Sequence, residues 1–484
     1  MATSEFLVKK VFKLEKDDLL IFCYLDQDKP LFSDSQVPGF LTELDIPKEK
    51  GGRVTVAAGT NRNRRFLART VRLDDEHASP QEKLKQVLSS EISGAEDEGI
   101  KRIAVFLSAS NQEYLSVCQE AAMLGGYRFD KYLEKKSEPC PVCCFMDEAL
   151  DSNEKNAIKA RNELYSWVNF ARDICNEPPN TVEPESLAAI FKSQGRKAGL
   201  KVTVWDEKRL LKEKCGGIIA VGQGASSRPR LVIGQYNPKN AEGHLCLVGK
   251  GVTMDTGGYC LKPANSQTGM KYDMSGAALT FAAACAMSRL KLPIKITVIT
   301  PLVENDISST AFHTNDVITM RNGKTVQVDN TDAEGRLILA DALCLASEMK
   351  PDWIVDAATL TGACVVALGE DIAGVFGTNS DFNRSIVDAG MDTGEFLWEM
   401  PLHMPYMEQL KATIADMKNI GSRWGGAITA ALFLRKFVPD DVTWAHIDVA
   451  GPCVKEDPLG FLGKGAKGFG VRTLVGLAQK LNGL

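Results

Sequence analysis

Short apolar runs separated by charged stretches of helical length set the pattern of the first 150 residues. LLIFCYL at 19–25, RVTVAA at 53–58 and RIAVFLS at 102–108 have strand length and strand composition. This alternation predicts a small α/β domain over residues 1–150. Residues 151–175, DSNEKNAIKARNELYSWVNFARDIC, read as one long polar-apolar helix. Pro178, Pro179 and Pro184 follow. A proline has no N–H to give the helix and its ring clashes with the preceding turn, so the helix cannot continue through them. Residues 151–180 are therefore predicted to be a linking helix and proline-rich boundary.

Residues 181–484 repeat the alternation more strongly. KVTVW, LVIGQY (231–236), HLCLVG (244–249), IKITVITPLV (294–303) and WIVDAAT (353–359) are strand candidates. SGAALTFAAACAMSRL (275–290) and RLILADALCLASEMK (336–350) are helix candidates. Strands interleaved with helices predict a larger α/β domain whose mixed sheet is covered by helices. Ligands of such sheets bind in the loops beyond the strand ends.

Composition fits an ordinary globular protein: 484 residues, 44% hydrophobic and 25% charged, with room for a core that needs no disulfide. The formal charge of −5 argues against nucleic acid as the main partner, since phosphate binding needs a basic face. No run reaches the roughly 20 apolar residues of a membrane span. The first twenty residues lack a signal peptide's apolar stretch, which predicts a cytoplasmic protein. Thirteen scattered cysteines, several in apolar segments, fit a reducing compartment.

The informative stretch is 248–336. VGKGVTMDTGGYCLKP holds Lys250, Asp255 and Lys262, GMKYDMSGAA holds Asp273, and NTDAEGRL holds Asp332, Glu334 and Arg336. Each has a plain structural reading. Thr331 to Glu334 fits a capping box, Asp273 a helix N-cap, Asp255-Thr-Gly-Gly a polar turn, and Lys250 a solvated loop lysine. Together they put four carboxylates and three cations on one rim of a sheet. Carboxylates that converge cannot all stay ionised without compensation. Two divalent cations would balance Asp255, Asp273, Asp332 and Glu334, and oxygen ligands suit Mg²⁺, Mn²⁺ or Zn²⁺. An extended segment would point Asp332 and Glu334 the same way. The five histidines are dispersed and form no rival site.

These three strings, NTDAEGRL above all, resemble the leucyl aminopeptidase (cytosol aminopeptidase) family. The likeness continues through DAATLTGACVVALG (356–369), RWGGAITAALFL (423–434) and WAHIDVAG (444–451). It implies a dinuclear metallo-exopeptidase with two ions per subunit, Zn²⁺ or Mn²⁺, with Mg²⁺ as a further candidate. By this resemblance Lys250, Asp255, Asp273 and Glu334 hold one ion, and Asp255, Asp332 and Glu334 the other. Lys262 and Arg336 are catalytic, with bicarbonate at Arg336. Leu360 and Gly362 contact substrate through the backbone. Met270, Asn330, Ala333, Thr359 and Ala450 form the side-chain pocket, which favours Leu- or Met-like N-terminal residues. The implied reaction is hydrolysis of the N-terminal residue of a peptide by a metal-activated water. The implied assembly is a homohexamer, and the implied partners are peptides with a free N-terminus. Met254 stands where the family usually has Phe, and Cys453 where the pocket often has a larger residue.

Other signals carry less. CPVCC (140–144) has one Cys-x-x-C without a second pair or a nearby histidine. Asn322-Gly-Lys-Thr ends like a P-loop, but Ile318 occupies the place of the first glycine. A G-x-S-x-G nucleophile elbow is missing. The alternative to an enzyme is a non-catalytic binding or regulatory homologue, including a nucleic-acid-binding one; the intact ligands, Lys262 and Arg336 argue against it.

Overall fold

A computed structural model of the chain describes residues 5–26, 29–39, 41, 48–61, 64–455 and 460–481, without the side chains of 56–61, 64 and 65. The first four residues of the N-terminal segment discussed above lie outside it. The chain divides into two compact units, Met1–Asn169 with Glu456–Lys464, and Phe170–Lys455 with Gly465–Leu484. The α/β class expected from the alternation is the class observed.

In the first unit a six-stranded sheet runs Phe6–Lys9, Val142–Met146, Arg102–Leu107, Asp18–Tyr24, Arg64–Arg72, Arg53–Asn61. Only the last pair is antiparallel. Its central strands are buried on both faces, which is why they read as unbroken apolar runs. Both cysteines of the Cys-x-x-C motif, Cys140 and Cys143, are buried in the apolar clusters on the two faces of this sheet, so the motif is packing. All thirteen cysteines are free thiols.

The second unit is built on a nine-stranded mixed sheet. Four strands at its centre, Thr443–Asp448, Trp353–Ala358, His244–Gly249 and Lys295–Asn305, are mutually parallel. Arg230–Tyr236 and Ile372–Gly377 flank them antiparallel, and Gly251–Asp255 adds to the Lys295–Asn305 strand in parallel. Side chains alternate across these strands. Cys246 and Val248 pack into the cluster that holds Leu337 and Leu343 of the helix Gly335–Glu348. Gly249 faces the helix Ser275–Arg289 so closely that a Cβ would lie 2.2 Å from Thr280 Oγ1. The two predicted helices thus cover opposite faces of the central strands. Because those strands are parallel, their C-terminal ends gather on one edge, and Lys250, Thr359, Asn305 and Asp448 stand there. Among the described residues, no helix is long and apolar enough to cross a membrane.

Candidate metal centre and active site

Lys250 is fixed by its backbone before its side chain is considered. Its N–H donates to Ala357 O at 3.1 Å and its carbonyl accepts from Ala277 N at 2.7 Å, tying a neighbouring strand to a helix. The buried side chain ends with Nζ donating to Asp273 Oδ1 at 2.7 Å and to Thr359 O at 2.9 Å, and 2.9 Å from Glu334 Oε1. Asp255 closes the strand Gly251–Asp255. Its Oδ1 accepts from Gly257 N at 2.9 Å and Asn305 Nδ2 at 2.8 Å, and its Oδ2 pairs with Lys262 Nζ at 2.8 Å. The turn after it uses left-handed backbone at Gly257 and Gly258, φ +89° and +62°, which returns the chain to Lys262. Lys262 also pairs with Asp332. Asp255, Asp273 and Glu334 are buried and each offers an oxygen within 4.8 Å of the others.

Burial and crowded carboxylates govern the electrostatics of this cluster. Burial pushes the Asp273 carboxyl well up, and Glu334 and Asp255 add to that. Burial and Asp255 likewise raise Asp332 and Glu334. Burial works to depress Lys250, but Asp273, Glu334 and Asp255 overcome it and hold the ammonium above the ordinary lysine range. Lys262 is raised in the same way by Asp255 and Asp332. Asp273 Oδ2 and Glu334 Oε2 are buried without any hydrogen-bond partner. Two unpartnered carboxylate oxygens in a buried acidic cluster are what a cation would satisfy, so the residues fit a metal. Arg336 donates Nη1 to Asn419 O at 2.8 Å while its Nε has no partner, and burial lowers its pKa to about 10.

All seven residues expected from the sequence as ligands or catalysts line one cavity of about 470 Å³. Met270, Asn330, Ala333, Thr359, Leu360, Gly362 and Ala450 line the same cavity. Two local expectations differ from what is observed. The helix after Asp332 starts at Gly335 with Glu334 as its N-cap and no side-chain capping bond, so no capping box forms. Thr331 turns its hydroxyl to Gly257 O at 2.6 Å and accepts from Cys260 N. The second concerns Asp332 and Glu334: they lie on a turn, closed by Ala333 N to Asn330 O, and not on an extended segment. Asp273 precedes the N-cap Met274 and caps nothing, which leaves its carboxylate for Lys250 and the Thr359 hydroxyl.

Sequence reasoning did not single out Asn305, Asn419 or Asp448. Asn305 Nδ2 donates to both Asp255 Oδ1 and Thr331 O, linking the two acidic loops. Asn419 Nδ2 donates to Asn330 O at 2.6 Å and holds the NTDAEGRL turn. Asp448 accepts from Leu360 N and the Thr361 hydroxyl. The one available signal was position: Asn305 and Asp448 are polar residues that end apolar strands, as Asp255 does.

Fold and site together define a metal-dependent aminopeptidase. Residues 169–475 match the catalytic domain of the cytosol aminopeptidase family. The chain is 44% identical over 389 residues to a probable cytosol aminopeptidase of Streptomyces avermitilis, covering 79% of this chain and 76% of that protein. It is 43% identical over 399 residues to the one of Streptomyces griseus, covering 79% and 78%. A tomato leucine aminopeptidase variant superposes with a TM-score of 0.84 at 30% identity, over 99% of this chain and 97% of that one. A bottromycin maturation enzyme in complex with Mn superposes with a TM-score of 0.83 at 30% identity, over 96% and 100%. The protein belongs to the cytosol aminopeptidase family, whose members are peptidases acting on peptides.

Proposed function

We propose that this protein removes Leu- or Met-like N-terminal residues from peptides, using two divalent cations per subunit held by Lys250, Asp255, Asp273, Asp332 and Glu334. The observation that carries this reading is the pair of buried, unpartnered oxygens, Asp273 Oδ2 and Glu334 Oε2, in a cluster whose remaining charges are already paired with lysines. When bound, the cations (Zn²⁺ or Mn²⁺, with Mg²⁺ a further candidate) would neutralise the carboxylates, polarise the scissile carbonyl and make a water nucleophilic near neutral pH.

The chain's own residues do the rest. Lys250 must surrender an Nζ proton to act as an amine ligand, which is costly in its present ion pairs and eased by nearby dications. Lys262 keeps its proton, and its ammonium is the donor available to a developing oxyanion. Arg336, with Nε free, is suited to hold a small anion such as bicarbonate that accepts a proton during attack. The backbone of Leu360 and Gly362 orients the substrate. The walls at Met270, Asn330, Ala333, Thr359 and Ala450 are mostly small or apolar, which supports the preference for aliphatic side chains.

Three further readings accompany this one: a catalytic domain at 181–484 joined to the 1–150 domain through 151–180, a homohexamer, and a cytoplasmic location. The test of the central claim is hydrolysis of leucine p-nitroanilide by protein stripped with chelator and then re-supplied with Mn²⁺ or Zn²⁺. Activity that vanishes and returns supports it. Fully metal-loaded protein that leaves the amide intact overturns it.

A further inference from the structure

Among the described residues, four cations line the catalytic cavity, and one of them, Arg423, stands exposed with no acidic partner. Lys250 and Lys262 are paired with the acidic cluster. Arg336 is buried against Asn419 O. Arg423 is exposed, with no acidic partner among the described residues. It is nonetheless held in place. Ser422 N donates to Gln409 Oε1 at 2.9 Å. Gly425 adopts φ +68°, where a Cβ would lie 2.7 Å from the Tyr406 ring. The Arg423 guanidinium rests 5.4 Å from the centroid of Trp424, itself 74% exposed. A guanidinium stacked on an aromatic face loses little freedom when it binds an anion.

The cavity therefore has a polarity, carboxylates buried in its floor and a guanidinium at its rim. A short peptide has the matching polarity, a free amine at one end and a carboxylate at the other. With the amine drawn to the acidic cluster, the residues beyond the scissile bond run outward to the rim. We propose that Arg423 is a specificity-determining residue that binds the C-terminal carboxylate of di- and tripeptides, making short peptides with a free carboxylate the favoured substrate class. This rests on the aminopeptidase reading above.

The test compares leucylglycine with leucylglycinamide on metal-loaded enzyme, with leucine p-nitroanilide assayed in parallel. Wild type should favour the carboxylate by about fivefold in kcat/KM, mainly through KM, as suits one exposed ion pair. The preference should shrink with added salt. Arg423→Ala should bring the ratio to about one and Arg423→Glu should invert it. A wild type that cleaves the anilide but has no carboxylate preference overturns the proposal, and so does a preference that survives Arg423→Ala. A metal-loaded wild type inert to all three substrates overturns the aminopeptidase reading, and this proposal with it.

Discussion

The Thr361 hydroxyl donates to Asp448 Oδ2 across 2.6 Å, where the strands Trp353–Ala358 and Thr443–Asp448 end side by side. Asp448 Oδ1 accepts from Leu360 N at 3.2 Å, and Thr361 Oγ1 in turn accepts from Cys364 N to cap the next helix. One buried carboxylate thus sets the backbone of the Leu360–Gly362 segment. Asp448→Asn replaces an acceptor with an NH₂ group, and misplacement of that backbone should lower kcat/KM on the order of 10²-fold. Metal content should stay at the wild-type level. Thr361→Val should reproduce part of the loss and Thr361→Ser should not. Wild-type kinetics in both Asp448→Asn and Thr361→Val would remove Asp448 from the machinery.

Gly335 offers a way to disturb the metal centre without touching a carboxylate. A methyl there would lie 2.5 Å from Lys250 Cε and 2.7 Å from Nζ. The obstructed atoms are the end of a flexible side chain, so the fold can yield locally and Lys250 must move. Gly335→Ala should lose at least one equivalent of metal, measured by elemental analysis, while its Tm shifts by only a few degrees, about what 1 kcal/mol produces. Full metal occupancy in that variant would argue that Lys250 is not a ligand.

The same residues explain what could be read from the chain alone. Lys250, Asp255, Asp273, Asp332 and Glu334 sit in three short contiguous strings at strand ends or helix starts, so local sequence already placed them where an α/β sheet builds sites. Asp448 and Asn419 act across 87 and 89 residues through strand register and loop packing, which periodicity cannot supply. The capping-box spacing at Thr331–Glu334 was misleading for a physical reason. Thr331 finds a better partner in Gly257 O, and the helix starts after Glu334, freeing that carboxylate for Lys250. Strands buried on both faces were legible as apolar runs; the short edge strands Phe6–Lys9 and Phe396–Glu399 were not, because neither is long enough to stand out.

Lys262 and Asp332 form an ion pair, yet their removal should have different consequences. Lys262→Ala deletes a donor and leaves every proposed ligand in place. It should keep both ions and lose about 10²–10³ in kcat, the usual cost of one lost oxyanion donor. Asp332→Ala deletes a proposed ligand and should lose at least one ion before any rate is measured. Metal analysis paired with steady-state kinetics separates the two. Equal and complete occupancy in both variants would show the ligand assignment to be wrong.

Two histidines on strands either side of Trp353–Ala358 should leave opposite marks on stability as pH changes. His244 is buried with Nε2 2.9 Å from Thr297 Oγ1, and burial, helped by Lys295, lowers its pKa to about 4. The unfolded chain binds a proton at His244 below about pH 6.5 and the folded chain does not until about pH 4. Its contribution is therefore whole above pH 6.5 and fades as pH falls toward 4, by at most about 3–4 kcal/mol. His446 is the reverse. Burial disfavours its charge, but Asp356, whose Oδ1 lies 2.6 Å from Nδ1, holds the pKa above the ordinary value. Its contribution is whole below about pH 6.5 and is lost as pH rises through the folded value. Denaturation of His244→Gln should accordingly show a flatter acid limb than wild type. His446→Gln should be weakest relative to wild type at mildly acidic pH, with the gap closing as pH rises. If both variants ran parallel to wild type from pH 5 to pH 8, a range of about this width around the free imidazole value, neither assignment of charge would stand.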